Sequence, residues 1–423
     1  MRHPAWLPLM LLALTGAVPS GAQTVDPASE LGQFRSLRAD GMTALDAGDQ
    51  AKALESFTQA QAILPDSPSI ALLRAQVLLQ QKQTGEARAQ LMDYLKRGNV
   101  LDLGRYSEFN AIWDSALEDQ QHLNQVDKGS LQTVASVPDF MIAEAISYAP
   151  DTQQVYLSGI RNGKVLALTP DGQSQDVITF RPGVAAYGLG MHDGTLWAAT
   201  AQSRQTTGYD LTKPVTSKIV AINPADGSIT TSISDAGADR RFGHMLAGRD
   251  NLYVIDSNAG AVLRLAGYGP TLDMVLPEGY MDSPQGLAES EDGSVLMVSD
   301  FVSGLYRIDL KAQTMARLLP PSNANLLGLS SLTRYGHDLI AIQNGFKPNR
   351  VLRLHMSDDW LSIESVEELV RSDKLLSQPS QGMVSDNAFV FIAKSQWGHL
   401  DDQGNAKTGD PDPVVLGVIK LTP

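Results

Sequence analysis

Residues 285–300 have the sequence QGLAESEDGSVLMVSD, and this stretch decides the fold. A small-residue start leads into a short alternating segment, a polar turn at Asp292-Gly293 and a second, more apolar segment. Two such segments joined by an Asp-Gly pair are typical of a β-hairpin, because this pair accepts the backbone angles of a tight turn. The stretch therefore predicts two adjacent antiparallel strands.

Units of the same kind recur along the last two thirds of the chain. They begin near residues 144, 187, 243, 285, 330 and 381. Spacings of roughly 40 to 55 residues suit the four-stranded blades of a β-propeller. We therefore expect a mainly β fold in which residues 131–423 form a six-bladed propeller. The unassigned strand LQTVASV, residues 131–137, is expected to complete the last blade and close the ring.

A helical segment precedes the propeller. Residues 30–125 are rich in Ala, Leu and Gln, and Gly41, Ala53, Phe57 and Pro65 are spaced as in a tetratricopeptide repeat. A second, weaker copy follows about 34 residues later. Because such a repeat cannot bury its apolar face alone, we expect this tetratricopeptide-like α-helical domain to pack on the propeller. A groove for a protein or peptide partner is the alternative.

The first 22 residues have the pattern of a secretory signal peptide. The apolar stretch from Trp6 to Leu14 is too short to span a bilayer, and small residues at Ser20 and Ala22 suit a cleavage site before Gln23. We therefore expect export to the periplasm or the medium, with no transmembrane segment in the mature chain. The chain has no cysteine, so its core is expected to hold without disulfides.

Composition argues against a nucleic-acid partner. The formal net charge is −14, and the isoelectric point is near 4.9. Binding to a nucleic acid depends on Lys and Arg neutralising phosphates, and no basic stripe offsets the acidic balance. The expected partners are a polar small molecule or a protein.

Three units carry a resemblance to a known family: residues 143–158, 241–257 and 283–300. Their sequences, AEAISYAPDTQQVYLS, RFGHMLAGRDNLYVIDS and SPQGLAESEDGSVLMVSD, resemble blades of the gluconolactonase and regucalcin-like propellers, the senescence-marker-protein group. The resemblance extends over roughly residues 130–423. Strictosidine-synthase-like and NHL-repeat propellers share much of the same blade pattern. The resemblance implies a lactone or ester hydrolase with one divalent cation, Ca²⁺ or similar, in the central throat.

The residues that this resemblance would assign to the metal site are only partly kept. Glu144 matches the family's first-blade Glu, whereas Gly243 stands at an Asn position and is followed by His244. Gln285 replaces a second Asn, and Ser330 replaces the Asp that also serves as base. One anionic ligand remains where the resemblance implies two. A cation held by Glu144 and His244 is expected to bind weakly.

Blade geometry gives a second set of candidates, independently of the family. The starts of inner strands converge on the propeller axis, so one concave space is expected to hold Glu144, Tyr187, Gln285, Ser330 and Gln381, with His244 one step along. Glu144 alone in this ring carries a carboxylate and is therefore the candidate catalytic base. In the late loops, Asn344 and Trp397 offer an amide beside an aromatic ring, which suits sugar-like or peptide ligands.

Structural roles for the same residues stay open. Glu144 could cap backbone N–H groups at the throat, His244 could be a hydrogen-bonded interior histidine, and Trp397 could pack between blades. No G-x-S-x-G, H-E-x-x-H, P-loop or dinucleotide-binding motif occurs. Two functions remain: an exported binding or scaffold protein, or, as the alternative, a metal-dependent lactonase or esterase with altered metal ligands.

Overall fold

The computed structural model describes residues 27–169, 173–210, 212, 216–235, 239–401 and 403–422. The predicted signal peptide, residues 1–22, lies outside the described residues. A helical region is followed by a six-bladed β-propeller, so the predicted fold class is confirmed. Among the described residues, no helix has the length and apolar character needed to cross a membrane.

The helical region consists of five α-helices and one 3₁₀ helix. These are α1 (Pro27–Asp46), α2 (Gln50–Ile63), α3 (Pro68–Gln80), α4 (Thr84–Lys96), the 3₁₀ helix Ser107–Ile112 and α5 (Ser115–Gln125). Capping explains where two of them begin. The carboxylate of Asp49 accepts a hydrogen bond from the backbone N–H of Lys52, and Asp114 accepts one from Leu117, which satisfies donors that have no partner in the first helical turn.

The first three blades follow one another along the chain, and each is a four-stranded antiparallel sheet. Blade 1 contains β2 (Ala143–Ala149), β3 (Gln154–Gly159), β4 (Lys164–Leu168) and β5 (Ser174–Thr179). Blade 2 contains β6 (Val184–His192), β7 (Thr195–Gln202), β8 (Ser217–Ile222) and β9 (Ile229–Ile233). Blade 3 contains β10 (Phe242–Ala247), β11 (Asn251–Asp256), β12 (Ala261–Ala266) and β13 (Leu272–Leu276).

The last three blades include the closure of the ring. Blade 4 contains β14 (Pro284–Glu289), β15 (Val295–Asp300), β16 (Gly304–Asp309) and β17 (Thr314–Leu318). Blade 5 contains β18 (Leu329–Tyr335), β19 (Asp338–Gln343), β20 (Arg350–Met356) and β21 (Ile363–Arg371). Blade 6 contains β22 (Gly382–Ser385), β23 (Ala388–Lys394), β24 (Val414–Lys420) and, as its outer strand, β1 (Gln132–Val137).

Pairing of β1 with β24 joins the two ends of the propeller. The register runs antiparallel from Gln132 opposite Val418 to Val137 opposite Val414. The strand predicted at residues 131–137 therefore closes the ring as expected. Without this pairing the outer edge of β24 would be an open strand edge, and the last blade would have only three strands.

The hairpin predicted from residues 285–300 is also confirmed. β14 and β15 pair antiparallel, and every residue of β15 is buried. The turn between them is held by Asp292, whose carboxylate accepts hydrogen bonds from the backbone N–H and the hydroxyl of Ser294. Gly293 has a φ of 72°, which explains why a glycine follows the aspartate.

Glycines on the inner strands allow neighbouring blades to approach closely. A Cβ atom added at Gly286 of β14 would lie 2.6 Å from the backbone nitrogen of Leu332 in β18. An added Cβ at Gly188 of β6 would lie 2.6 Å from the backbone nitrogen of Met245 in β10. Since the obstacle is backbone in both cases, it cannot be relieved by moving a side chain. Gly188 and Gly286 are therefore packing requirements of blades 2 and 4.

The helical region docks on the propeller, as the sequence predicts. Leu31 and Phe34 of α1 belong to one hydrophobic cluster with Tyr253, Met281 and Tyr306 of blades 3 and 4. A shared core of this kind buries the apolar face that two weak repeats would otherwise expose.

Polar contacts fix the docked position. Buried Asp66 accepts a hydrogen bond from the backbone N–H of Leu326 at 2.9 Å, and the Arg97 guanidinium donates to the carbonyl of Ala324 at 3.0 Å. The segment that holds Ala324 and Leu326 immediately precedes β18. The helices therefore lie next to the end of the propeller at which the inner strands begin.

We expect Gly286→Ala to destabilise the propeller by about 1–3 kcal/mol, because the new methyl group overpacks against the backbone of blade 5. The control is Gly32→Ala in α1, where an added Cβ meets nothing within 4 Å. That substitution is expected to stabilise the protein by about 0.5–1 kcal/mol, since alanine is the better helix former. Urea unfolding followed by circular dichroism measures both. Equal stabilities for the two variants would show that blades 4 and 5 are not packed as described.

Candidate ligand site at the propeller throat

The inner strands of the six blades surround the axis. β2 contacts β6 and β22, β10 contacts β6 and β14, and β18 contacts β14 and β22. The six ring residues predicted from the sequence all lie where these strands begin: Glu144, Tyr187, His244, Gln285, Ser330 and Gln381. Closing the ring thus brings together residues that are far apart in the chain: Gln381 donates to the carbonyl of Tyr187, 194 positions away, at 3.2 Å.

Two adjoining cavities open at this end of the throat. The larger, of about 420 Å³, is lined by four of the ring residues and by both predicted loop residues: Glu144, Gln285, Ser330, Gln381, Asn344 and Trp397. The smaller, of about 170 Å³, is lined by Glu144, Tyr187, Arg241, His244, Gln285 and Gln381, among others. Three residues belong to both. We call the two cavities together the throat site.

His244 and Gln381 mark the floor of the throat site. Both also line a third cavity of about 510 Å³ at the opposite end of the axis, together with residues farther along the inner strands such as Leu189 and Leu287. The side chains of His244 and Gln381 therefore lie between the cavities at the two ends of the throat. A ligand in the throat site would be enclosed from below by these two side chains.

Glu144 is the carboxyl group of the throat site. Its Oε2 atom accepts a hydrogen bond of 2.7 Å from the indole N–H of Trp397. Burial raises the pKa of Glu144 to about 7, and the bond from Trp397, which stabilises the carboxylate, opposes this shift. No neighbouring cation contributes to lowering this pKa. Near neutral pH the group is therefore divided between its ionised and neutral forms, which is the condition for moving a proton.

Gln396 positions Trp397 against Glu144. The side-chain oxygen of Gln396 accepts hydrogen bonds from the backbone N–H groups of Met141 and Ile142, each at 3.0 Å. Its amide nitrogen donates to the carbonyls of Asp139 and Asp412. The loop that carries Trp397 is thereby tied to the start of blade 1. The sequence marked Trp397 as a loop candidate but gave no sign of this contact with Glu144.

His244 is a neutral imidazole in this structure. Burial lowers its pKa to about 4, and the neighbouring amide of Gln381 only partly offsets this shift. Its Nδ1 atom is buried and has no hydrogen-bond partner among the described residues. The neutral form could in principle bind a metal, so the donor atoms around it decide whether a cation fits.

The donor set does not fit a firmly held divalent cation. The described part of the chain contains no group of three or more His, Cys, Asp or Glu side chains arranged to hold a metal ion. Of the two metal ligands that the sequence suggested, Glu144 already accepts from Trp397, and His244 contributes a single neutral nitrogen. Hard cations such as Ca²⁺ need six or more oxygen ligands. Among the remaining lining groups, the side-chain oxygens that could bind a cation belong to amides and hydroxyls, which are weak ligands without a second carboxylate.

The other predicted ligand-binding residues make local contacts. Gln285 donates from its amide to the hydroxyl of Ser283 at 3.0 Å. Asn344 donates to the carbonyl of Pro379 at 2.7 Å, and the hydroxyl of Ser330 lies 3.4 Å from the carbonyl of Ile342. Their amide and hydroxyl groups line the larger cavity all the same. Their roles in binding stay predictions.

Arg241 is a residue of the site that sequence reasoning missed. Its guanidinium lies 6.0 Å from the ring centroid of Tyr187, whose hydroxyl donates to Ser203. The neighbouring Arg240 makes ion pairs with three carboxylates, whereas Arg241 has none within ion-pair distance in the part of the chain that the structure describes. The signal was the Arg-Arg pair directly before the third blade start, of which one arginine has a structural role and the other faces the cavity.

Comparison with known proteins supports the helical assignment. Residues 44–120 match the tetratricopeptide repeat family. The sequence matches none of the curated proteins with which it was compared.

Several solved structures have a fold similar to the propeller. A gluconolactonase from Xanthomonas campestris is 13% identical, with 69% of this chain and 89% of that chain covered and a TM-score of 0.48. A streptogramin B lyase is 14% identical, with 69% of this chain and 97% of that chain covered and a TM-score of 0.45. A luciferin-regenerating enzyme is 11% identical, with 70% of this chain and 98% of that chain covered and a TM-score of 0.48. Similarities at this level do not indicate a substrate or a reaction for this chain.

We expect Trp397→Phe to raise the pKa of Glu144 further above its ordinary value of 4.5, because the substitution removes the hydrogen bond that stabilises the carboxylate. Carboxyl ¹³C chemical shifts, followed by NMR in glutamate-labelled protein between pH 4 and about pH 9, measure this pKa. Trp113→Phe is the matched control, since it removes a similar bond to Glu118 in the helical region and should leave Glu144 unchanged. Titration of Glu144 near 4.5 in the unsubstituted protein would contradict the burial described here.

Proposed function

We propose that the protein is an exported binding protein whose throat site holds a small polar molecule. The observation that supports this most strongly is the composition of the enclosed site. One carboxyl, one guanidinium, several amides and an indole line two joined cavities where the inner strands begin.

Size and chemistry support a small ligand. A cavity of about 420 Å³ lies within the range of about 300–1,000 Å³ that is usual for small-molecule sites. The amides of Gln285 and Gln381 can pair with hydroxyls or carbonyls, and the face of the Trp397 ring can cover an apolar patch of a ligand. A site of this kind favours a compact molecule with several polar groups.

The docking of the helices supports a small molecule over a peptide. Leu31, Phe34 and Phe57 of the helical region are buried in the cluster shared with the propeller. The propeller covers this apolar surface of the helices, so a peptide cannot bind to it. We therefore propose that the helices stabilise the end of the propeller that carries the throat site.

Hydrolysis of a lactone or ester is the second candidate, and one observation favours it. Glu144 has a pKa of about 7, close to the pH at which a general base works best. In such a reaction the ionised Glu144 would take a proton from a water molecule as the water oxygen bonds to the carbonyl carbon. It would then return this proton to the leaving oxygen as the C–O bond of the ester or lactone breaks. The carboxylate positioned by Trp397 is suited to this step, which needs no metal ligand.

Thermal denaturation in the presence of small polar molecules tests the binding proposal. The probes are monosaccharides, sugar acids, amino acids and their amides at millimolar concentration. We expect at least one class to raise the melting temperature, and Gln285→Met to weaken its binding by about tenfold through the loss of one hydrogen bond. Gln175→Met on the exposed outer strand β5 is the control and should bind as the unsubstituted protein does. Equal binding to Gln285→Met and Gln175→Met would place the ligand outside the throat site.

An assay of lactones and aryl esters separates the two candidates. If the protein is a hydrolase, Glu144→Gln should lower the rate by about 10²-fold or more, and addition of EDTA should not change it. Absence of hydrolysis in the unsubstituted protein would reject the second candidate and leave the binding proposal intact.

A further inference from the structure

Arg241 places a positive charge in the smaller cavity without a counter-ion. Its side chain is partly buried, and no carboxylate of the described residues forms an ion pair with it. Arg240, in contrast, forms ion pairs of 2.9 to 3.2 Å with three acidic residues. The guanidinium of Arg241 lies over the Tyr187 ring and also interacts with the Tyr187 hydroxyl. The backbone N–H of Arg241 donates to the carboxylate of Asp256, and its carbonyl accepts from the backbone N–H of Ser257. A partly buried cation that lacks a carboxylate partner is less stable than a paired one, and an arriving anion can supply that partner.

The other titratable groups around this cavity do not neutralise Arg241. They are Glu144, Tyr187 and His244. Burial raises the pKa of the Tyr187 hydroxyl and lowers that of His244 to about 4, so both are neutral at pH 7. Glu144, with a pKa of about 7, is only partly ionised. Arg241 is therefore the one Lys or Arg side chain among the described residues that line this cavity.

We propose that the throat site selects a small organic carboxylate, whose anionic group pairs with Arg241 in the smaller cavity. The remainder of the molecule occupies the larger cavity beside Trp397. This inference rests on the proposed binding function and gives it a ligand class. A planar guanidinium matches the geometry of a carboxylate with two parallel hydrogen bonds.

Charge and space favour a monoanion over a phosphate. A single arginine faces the smaller cavity, whose volume is about 170 Å³, and Glu144 lines the same space. A phosphate dianion would meet only one cation and would be repelled by any ionised Glu144. A carboxylate carries one charge and is balanced by Arg241 alone.

Glu144 makes binding depend on pH. Its neutral form can donate a hydrogen bond to the bound carboxylate, whereas its ionised form repels it. Binding of the anion therefore favours the protonated carboxyl, and by linkage the affinity is highest below the pKa of free Glu144 and falls as the pH rises through it. Between pH 6 and pH 8 the affinity for a carboxylate should decrease by about tenfold.

Matched acids and neutral analogues test the inference by isothermal titration calorimetry. The probes are benzoate with benzamide and D-glucuronate with D-glucose, each at pH 6, and inorganic phosphate, which is compared with the acids at pH 8, where it is mainly a dianion. We expect the acid of at least one pair to bind about tenfold or more tightly than its neutral analogue, and phosphate to bind more weakly than that acid. Arg241→Gln should abolish the preference for the acid. Arg249→Gln, at a side chain that is 64% exposed on the opposite end of the throat, should keep it.

Repeating the titrations at pH 8 gives a readout that a purely structural role of Glu144 would not change. The affinity of the unsubstituted protein for the acid should fall, and that of Glu144→Gln should stay constant because glutamine does not titrate. Circular dichroism confirms that each variant is folded.

The outcomes distinguish the inference from the proposed function. Neutral analogues that bind the throat site as tightly as their acids would overturn the carboxylate assignment and leave the binding function standing. Phosphate binding more tightly than every acid would replace the carboxylate by a phosphate. If no probe binds, or if binding is equal in the Arg241→Gln and Arg249→Gln variants, the inference is wrong, and the test of Gln285→Met decides the function separately.

Discussion

Closure of the ring by β1 and β24 is the constraint on which the rest of the structure depends. The antiparallel pairing from Gln132 opposite Val418 to Val137 opposite Val414 completes blade 6 with a strand from the start of the propeller. Once the ring is closed, the positions of the six inner strands around the axis follow. Glycines such as Gly286 let these strands approach until their backbones are in contact. The throat is therefore a consequence of how the blades pack.

The same packing creates the chemistry of the throat site. The inner strands begin with polar residues, and ring closure places them where little water remains. Desolvation explains both large pKa shifts there, upward for the carboxyl of Glu144 and downward for the imidazole of His244, since burial disfavours the charged form of each. Arg241 is the one Lys or Arg side chain among the described residues that line the throat site. The site has one cationic side chain, a carboxyl whose pKa is near neutral pH and several amides. These groups suit the polar, singly charged ligand that we propose.

Much of the fold could be predicted from the sequence because it is repetitive. The hairpin of residues 285–300, the six blade starts and the closing strand are local patterns, and each is specified by residues close together in the chain. The residues around the axis could also be predicted, since propeller geometry brings the starts of the blades to the axis. The docking of the helices could be predicted from their exposed apolar face. The contact between Asp66 and Leu326 could not, because these residues are 260 positions apart.

The details of the site depend on contacts that no local pattern reveals. Trp397 reaches Glu144 only because Gln396 ties its loop to blade 1. Arg240 and Arg241 are adjacent and identical in type, and only the folded structure shows that carboxylates surround one of them. The described residues contain no group of three or more His, Cys, Asp or Glu side chains that could hold the metal ion expected from the family resemblance.

A crystal structure of the unsubstituted protein equilibrated with benzoate at pH 6 tests the central claim most directly. The account predicts that the carboxylate of benzoate lies within hydrogen-bond distance of the Arg241 guanidinium and the Glu144 carboxyl, with the aromatic ring in the larger cavity beside Trp397. Benzoate bound elsewhere on the protein, with water alone in the throat site, would contradict it.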